Sequence, residues 1–379
     1  MQTNKLLSNY IPTNNQIMIH CTNCQLPYPQ DAAPYCCPAC GGSFDFDAPA
    51  AFDAGKIDSH QPGMWRYRHS FGLPLGASVI TLGEGDTPLV WSRTFGREVA
   101  FKLEYLNPTG SFKDRGTALL ISFLRSLGVD EAVEDSSGNA GSSFAAYAAR
   151  AGMRARVYVP SYASGPKRTQ IAAYGAEVVP VPGPRSKAAE AVRQTAEKGA
   201  VYASHAHLPQ GLPGMSTVAY ELVDQMGDSP GTVIVPAGQG SLLLGMGRGF
   251  VALQRAGMIS RLPLLVGVQA AACAPLWAAS RRGSSGLESV SEGATLAEGV
   301  RILHPLRSEA ILQMVSSTQG FFVTVDEDNI IPGRDELAQR GFYVEPTSAI
   351  VWNALSQVAD RVPEPIVAIL TGSGLKSSP

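Results

Sequence analysis

From about residue 99 to the end of the chain, short apolar runs alternate with longer stretches of helical spacing, a pattern that few folds tolerate. The runs are 99–103, 156–159, 178–181, 232–235, 264–268, 321–325 and 366–370, with a further short one at 132–135. Between them, apolar residues recur every three or four positions at 117–127, 140–150, 187–197, 216–225, 242–254 and 347–359. Gly128, Gly152, Gly175, Gly199 and Gly227 follow helical stretches and read as C-terminal stops. Buried strands joined by single helices pair in parallel through right-handed crossovers, so the expected class is α/β with parallel sheets. Ligands in such folds sit beyond the carboxyl ends of the strands, near helix N-termini.

Composition narrows the function. The 379 residues carry 30 Lys+Arg and 32 Asp+Glu, a formal charge of −2, which offers no basic footprint for nucleic acid. Charged residues are 16% against 45% hydrophobic, enough apolar material for a large core and too little charge for bulk disorder. The best candidate span, the uncharged stretch 262–280, is interrupted by Pro263, Gly267, Gln269 and Pro275 and reads as a strand at 264–268 followed by a helix, not a membrane span. Residues 1–16 are polar and contain no apolar signal core. The expectation is a soluble cytoplasmic protein with no nucleic-acid or membrane partner.

Five of the six cysteines fall between Cys21 and Cys40. Cys21-x2-Cys24, twelve residues, then Cys37-x2-Cys40 form two tight knuckles, each presenting two sulfurs to one ion. Four thiolates in a tetrahedron suit structural Zn²⁺ with no open coordination position. Surface thiols or a lapsed site are the bland alternative. Cys36 could replace Cys37 as a ligand, and His20 is not required as one. Cys273 stands alone in an apolar segment and reads as a core thiol.

Three strand–helix junctions carry chemistry. In Asn107-Pro108-Thr109-Gly110-Ser111-Phe112-Lys113, Pro108 and Gly110 make a turn, and Ser111 is positioned to cap the helix. Lys113 then falls in the first helical turn, where the macrodipole disfavours an ammonium. The placement suits an amine held as a Schiff base or needed as a neutral base; a solvated surface lysine is the other reading. Ser136-Ser137-Gly138-Asn139-Ala140-Gly141 opens a helix whose free N–H groups suit a carboxylate. Pro236-Ala237-Gly238-Gln239-Gly240-Ser241 opens another and suits a phosphate; it has no Walker lysine, so a nucleoside triphosphate is not indicated. Glu134 and Asp135 are unexpected in a buried strand: they are either exposed or sense a substrate group.

The segment Glu104 to Gly116 resembles the lysine motif of threonine synthases, in the tryptophan synthase β family (fold type II pyridoxal-phosphate enzymes). The resemblance continues through Trp65-Arg66-Tyr67, Leu82-Gly83-Glu84-Gly85-Asp86-Thr87-Pro88-Leu89 and Thr371-Gly372-Ser373-Gly374-Leu375-Lys376. The cysteine cluster is also similar to a ribbon of some threonine synthases. The resemblance implies pyridoxal 5′-phosphate on Lys113, which also acts as the base at Cα. It places Asn139 beside the ring 3′ oxygen, Gly238, Gln239, Gly240 and Ser241 at the phosphate, and Thr371 at the ring nitrogen. A hydroxyl there, unlike a carboxylate, leaves the ring a weaker electron sink, suited to elimination and replacement. Ser111, Ser136, Ser137, Gly138, Asn139, Ala140, Lys167 and His205 become candidate substrate contacts, and Cys21, Cys24, Cys37 and Cys40 the metal ligands.

Threonine synthases convert O-phosphohomoserine and water to threonine and phosphate. They often read the second phosphate through an Asn-Ser pair and a following Arg or Lys. The matching stretch here, 203–217, has no Arg or Lys. His205 and His207 either replace that function or are ordinary loop histidines. Lys167 and Arg168, after Ser164-Gly165-Pro166, either supply charge or form a solvated helix face. A β-replacement synthase or hydroxy-amino-acid ammonia-lyase is the competing assignment, and a catalytically dead zinc-ribbon adaptor the remote one. Thr295-Leu296-Ala297-Glu298-Gly299 lies either near the site or in the packing, and Glu345-Pro346-Thr347-Ser348-Ala349 reads as a capped helix start, for which a packing role serves as well. The expected organisation is a zinc ribbon at 18–45, a linker at 46–61, a large cofactor domain at 62–131 and 212–379, and a small mobile substrate domain at 132–211. The family expectation is a homodimer acting on a small amino acid.

Overall fold

The computed structural model describes residues 18–74, 76–162 and 165–377. The polar stretch 1–16 and Ser164 lie outside them. An antiparallel pair, β1 (Ile19–Cys21) and β2 (Phe44–Phe46), sets Cys21 opposite Phe44. Cys21, Cys37 and Phe44 are its buried core, and Tyr28 meets Phe44 edge-on at 4.7 Å between ring centroids. The expected linker is anchored: Phe52 is buried against Tyr220, 4.8 Å between ring centroids.

Next come a hairpin, β3 (Leu89–Thr94) and β4 (Arg97–Lys102), then β5 (Glu131–Glu134), β6 (Arg154–Pro160), β7 (Glu177–Val181) and β8 (Val201–Tyr202). The last four are β9 (Thr232–Pro236), β10 (Leu264–Ala270), β11 (Phe321–Val325) and β12 (Ile366–Ile369). Six strands form a sheet in the order β11-β10-β9-β12-β4-β3, parallel except for the β3–β4 edge. Four form a second, all-parallel sheet in the order β7-β6-β5-β8.

Side-chain alternation along the central strands splits the large sheet's two faces. Val233, Val235, Val367 and Ile369 join a core with Leu119, Val218 and Leu243, from helices Lys113–Ser126, Leu212–Met226 and Ser241–Arg255. Ile234, Val266, Val268 and Ala368 join a second core with Ile350, Ala354 and Leu355 of helix Pro346–Val358. Burial of both faces is why these strands read as continuous apolar runs. The five glycine stops all have positive φ.

Several elements escape the sequence pattern. The edge strand β3 mixes half-buried and exposed residues, and β8 is two residues long. Helix Glu327–Gln339 contains Pro332, which reads as a breaker. Helices Pro166–Ala173, Pro275–Arg282 and Ser308–Ser317 are short. The stretch 262–280 is β10 and a helix, and no helix among the described residues is long and apolar enough to cross a membrane.

Beneath the helix that begins at Lys113 lies a fully buried ion cluster. Arg115 Nε donates to Glu104 Oε2 at 2.6 Å and Nη1 to Glu221 Oε1 at 2.7 Å. Lys102 Nζ reaches Glu221 Oε2 at 2.8 Å and the Thr87 carbonyl at 2.7 Å. Burial pushes the Glu221 carboxyl up, yet Arg115 and Lys102 hold it well below the usual carboxylate range. Removing one member of such a set strands a buried charge. An Arg115→Met variant is therefore expected to lose about 3–5 kcal/mol of stability, read as a lower urea midpoint; an unchanged midpoint contradicts this account of the cluster.

Candidate active site

The turn before Lys113 closes through the Gly110 N–H, which donates to the Asn107 carbonyl at 2.7 Å, with Gly110 at φ +85°. Ser111 does not cap the helix, contrary to the sequence expectation. Its Oγ is buried without a partner among the described residues, and its backbone bridges to Gly372. Asp114 does the tying instead. Its carboxylate accepts from Thr109 N at 2.7 Å, Thr109 Oγ1 at 2.6 Å and Ser143 Oγ at 2.6 Å. Burial raises this carboxyl to about 6, against those three donors.

Lys113 is the first residue of helix Lys113–Ser126 and faces a cleft enclosing about 900 Å³, part of it open solvent. Burial lowers the ammonium from 10.5 to about 8; Glu134 and Glu345 oppose the shift and Arg185 adds to it. Loops following β4, β5, β9 and β12 converge here, as expected at the carboxyl ends of parallel strands. Ser136, Ser137, Gly138, Asn139, Ala140, Lys167, His205, Gly238, Gln239, Gly240, Ser241 and Thr371 all line the same cleft. Of the candidate cofactor and substrate contacts, Ser111 is absent from its walls, as are the alternatives Arg168 and His207.

The glycine-rich loop is built for close approach. Gly240 has φ +72° and precedes the first turn of helix Ser241–Arg255. A Cβ on Gly238 would meet the Gly299 carbonyl oxygen at 2.5 Å. Gln239 Oε1 is engaged by Leu306 N at 3.2 Å, which pins the loop. The first-turn N–H groups of a helix have no partner within it and suit an anion.

Glu345 anchors one wall. It is buried, accepts from Asn139 Nδ2 at 2.7 Å and receives Lys167 Nζ at 2.6 Å. Lys167 is thus a cleft residue and not a solvated one. Asn139 Oδ1 and Thr371 Oγ1 are buried with no partner among the described residues. These two orphaned atoms, the lysine with a depressed pKa and the anion-binding loop are the complement that pyridoxal 5′-phosphate requires, so the residues fit the cofactor.

On the other side Glu134 is buried, not exposed, and its Oε1 lies 2.8 Å from His205 Nδ1. Arg185 opens helix Arg185–Glu197 and lines the cleft, with no ion pair among the described residues. The two histidines separate. His205 faces the cleft, whereas His207 packs against Tyr35 and Tyr202, 5.4 and 5.9 Å between ring centroids, and burial lowers it to about 4.

The histidine loop is tied to the N-terminal hairpin. Arg307 donates to the carbonyls of Ala206 at 2.6 Å, His207 at 2.8 Å and Phe44 at 2.7 Å. Arg248 grips Asp45 with two contacts of 2.8 Å. In the hairpin the sulfurs of Cys21, Cys24, Cys37 and Cys40 lie within 4.8 Å of one another, with Cys21–Cys40 and Cys24–Cys37 at 3.5 Å. Sulfurs about 2.3 Å from one tetrahedral ion stand about 3.8 Å apart, so the cluster suits one ion. Cys36 is outside it, and His20 Nδ1 pairs with Asp47 Oδ2 at 2.6 Å.

Glu345 and Arg185 are site residues that sequence reasoning misses. Glu345 precedes Pro346 and reads as a helix cap. Arg185 offers the same signal as Lys113, a cation in the first turn of a helix.

Residues 80–372 match the family described as "Pyridoxal-phosphate dependent enzyme". The threonine synthase of Methanocaldococcus jannaschii is 32% identical over 375 residues, covering 94% of this chain and 92% of that protein. The threonine synthase of Synechocystis sp. is 35% identical over 308 residues, covering 79% of this chain and 78% of that one. The crystal structure of a T.th. threonine deaminase aligns with a TM-score of 0.65 at 28% identity, over 77% of this chain and 94% of that chain. The match over residues 80–372 and the identity to threonine synthases along most of the chain mean that it belongs to the pyridoxal-phosphate dependent enzymes and is a threonine-synthase-like lyase.

Proposed function

We propose that the enzyme is a threonine synthase, converting O-phosphohomoserine and water to threonine and phosphate. The observation that carries this reading is the Lys113 amine facing the cleft where the four loops meet, its ammonium lowered to about 8 by desolvation. The curated relatives bearing the name threonine synthase support it.

Bound pyridoxal 5′-phosphate would supply an electron sink for charge developing at the substrate's Cα. Lys113 would hold it covalently, 238–241 its phosphate, Asn139 its ring oxygen and Thr371 its ring nitrogen. Ser136, Ser137, Gly138, Asn139 and Ala140 would bind the substrate carboxylate through the helix N-terminus. Lys113 Nζ, once free, takes the proton at Cα, and its depressed pKa keeps enough neutral amine near pH 7–8. Lys167 and Arg185 are the cations on the cleft wall available to an anionic leaving group. Segment 132–211 is proposed as the moving substrate domain.

A second reading has one observation in its favour. Segment 203–217 lacks a cation and sets a histidine against a buried carboxyl, a wall suited to an uncharged leaving group. It would make the enzyme an ammonia-lyase or β-replacement synthase. We also propose one structural Zn²⁺ on Cys21, Cys24, Cys37 and Cys40, a homodimer and a cytoplasmic location.

Holoenzyme given O-phosphohomoserine is expected to release phosphate and threonine in equal amounts, and Lys113→Ala to lose at least about 100-fold in rate. Borohydride should trap the pyridoxyl group on Lys113; keto acid without threonine would move the assignment to the second reading. Burial lowers the lysine pKa, so the reactive neutral amine appears early on raising pH. Cofactor loading of apoenzyme should therefore accelerate up to about pH 8 and then level off, not climb toward 10.5. Metal analysis should return one zinc per chain, and Cys37→Ser should lose it together with thermal stability; a full-stability, metal-free wild type would refute the zinc assignment.

A further inference from the structure

We propose that His205, held by the buried carboxyl of Glu134, is a second acid–base group of the cleft. It takes the proton from the water molecule whose oxygen bonds to the substrate's Cβ. The inference rests on the hydration reaction proposed above and assigns a residue to it.

Glu134 ends β5 after two apolar residues, Ala132 and Val133, and is fully buried. Its Oε1 is 2.8 Å from His205 Nδ1, while Oε2 has no partner among the described residues. Packing alone does not call for a buried carboxyl with an unpaired oxygen, which costs stability. The imidazole is 19% exposed and lines the cleft together with Lys113. Its Nε2 makes no hydrogen bond among the described residues, so one ring nitrogen is fixed by the carboxyl and the other is left for a ligand. A carboxyl on one nitrogen sets the tautomer and therefore the role of the other.

Burial opposes charge on both partners, raising the carboxyl and lowering the imidazole. Lys113 acts on both: its positive charge lowers the Glu134 carboxyl, which in turn raises Lys113, and together with Arg185 it lowers the imidazole further. While Lys113 holds the proton taken from the substrate, Glu134 is favoured as carboxylate. Nδ1–H then donates to it, and Nε2 presents a lone pair. Water gives a proton to Nε2 as its oxygen bonds to Cβ. The electron pair of the Cα–Cβ double bond moves to Cα, which takes the proton from Lys113 Nζ. The proton gained by the imidazole passes to solvent at the cleft mouth.

The test compares wild-type, His205→Gln and Glu134→Gln holoenzymes on O-phosphohomoserine, measuring phosphate, threonine and 2-oxobutanoate. Loss of the base should divert the substrate that has already lost its phosphate to hydrolysis, giving 2-oxobutanoate and ammonia. Threonine per phosphate should fall at least tenfold in both variants, with 2-oxobutanoate making up the balance. Threonine and phosphate falling in the same proportion would mark a structural role and overturn the proposal. A second measurement does not depend on the substrate. Among the six histidines, the low-field Nδ1 proton that His205→Gln removes should move upfield in Glu134→Gln, which keeps the shape but not the charge. If it does not move, the pairing is wrong. Should wild type release no phosphate, the substrate assignment fails while the proton resonance still decides the pairing.

Discussion

A guanidinium sealed from water two residues beyond Lys113 sets the geometry of this enzyme. Arg115 joins Glu104, which follows β4, to Glu221 on helix Leu212–Met226, and Lys102 of β4 closes the same cluster. Strand, loop and two helices are thereby locked beneath the point where Lys113 enters the cleft. The cluster yields little net stability against an apolar packing of the same volume, since desolvation cancels much of the attraction. Its worth is directional: bidentate contacts admit one orientation of the helix and hence one position for its first residue. The Asp114 contacts to Thr109 and Ser143 fix the same turn from the opposite side.

Electrostatically, the cleft divides into two walls. On one, Glu345 is matched by Lys167 and by the Asn139 amide, so that wall carries a compensated charge. On the other, Glu134 meets the imidazole of His205, with Arg185 at the rim. Between them, the Lys113 amine is disfavoured as a cation by burial and only partly restored by the two carboxylates. Low dielectric strengthens each of these influences, so small proton movements on one group are felt by the others.

Much of the fold is legible because it rests on periodicity. The central strands are apolar on both faces, their helices carry one apolar stripe, and glycine closes each of five helices. The Lys113, Asn139 and Gly238–Ser241 segments are legible for a related reason: glycine, serine and asparagine at a strand–helix junction have few structural uses. The illegible parts depend on contacts distant in sequence. Glu345 looks like a cap because its partners lie 206 and 178 residues away. The split between His205 and His207 is set by which one Tyr35 and Tyr202 cover, and Tyr35 comes from the distant N-terminal hairpin. Ser111 misleads because the capping rule considers only the local chain, whereas Asp114 satisfies the turn from within the helix.

Arg307 joins parts that sequence separates. One side chain holds two carbonyls of the histidine loop and one from the hairpin core, and Asp45 lies 3.6 Å from its Nε. The ribbon is consequently no detachable cassette. A lineage that discarded it would also discard the backbone acceptor that keeps this loop in register, and would have to find another brace before the wall opposite Glu345 could hold its shape.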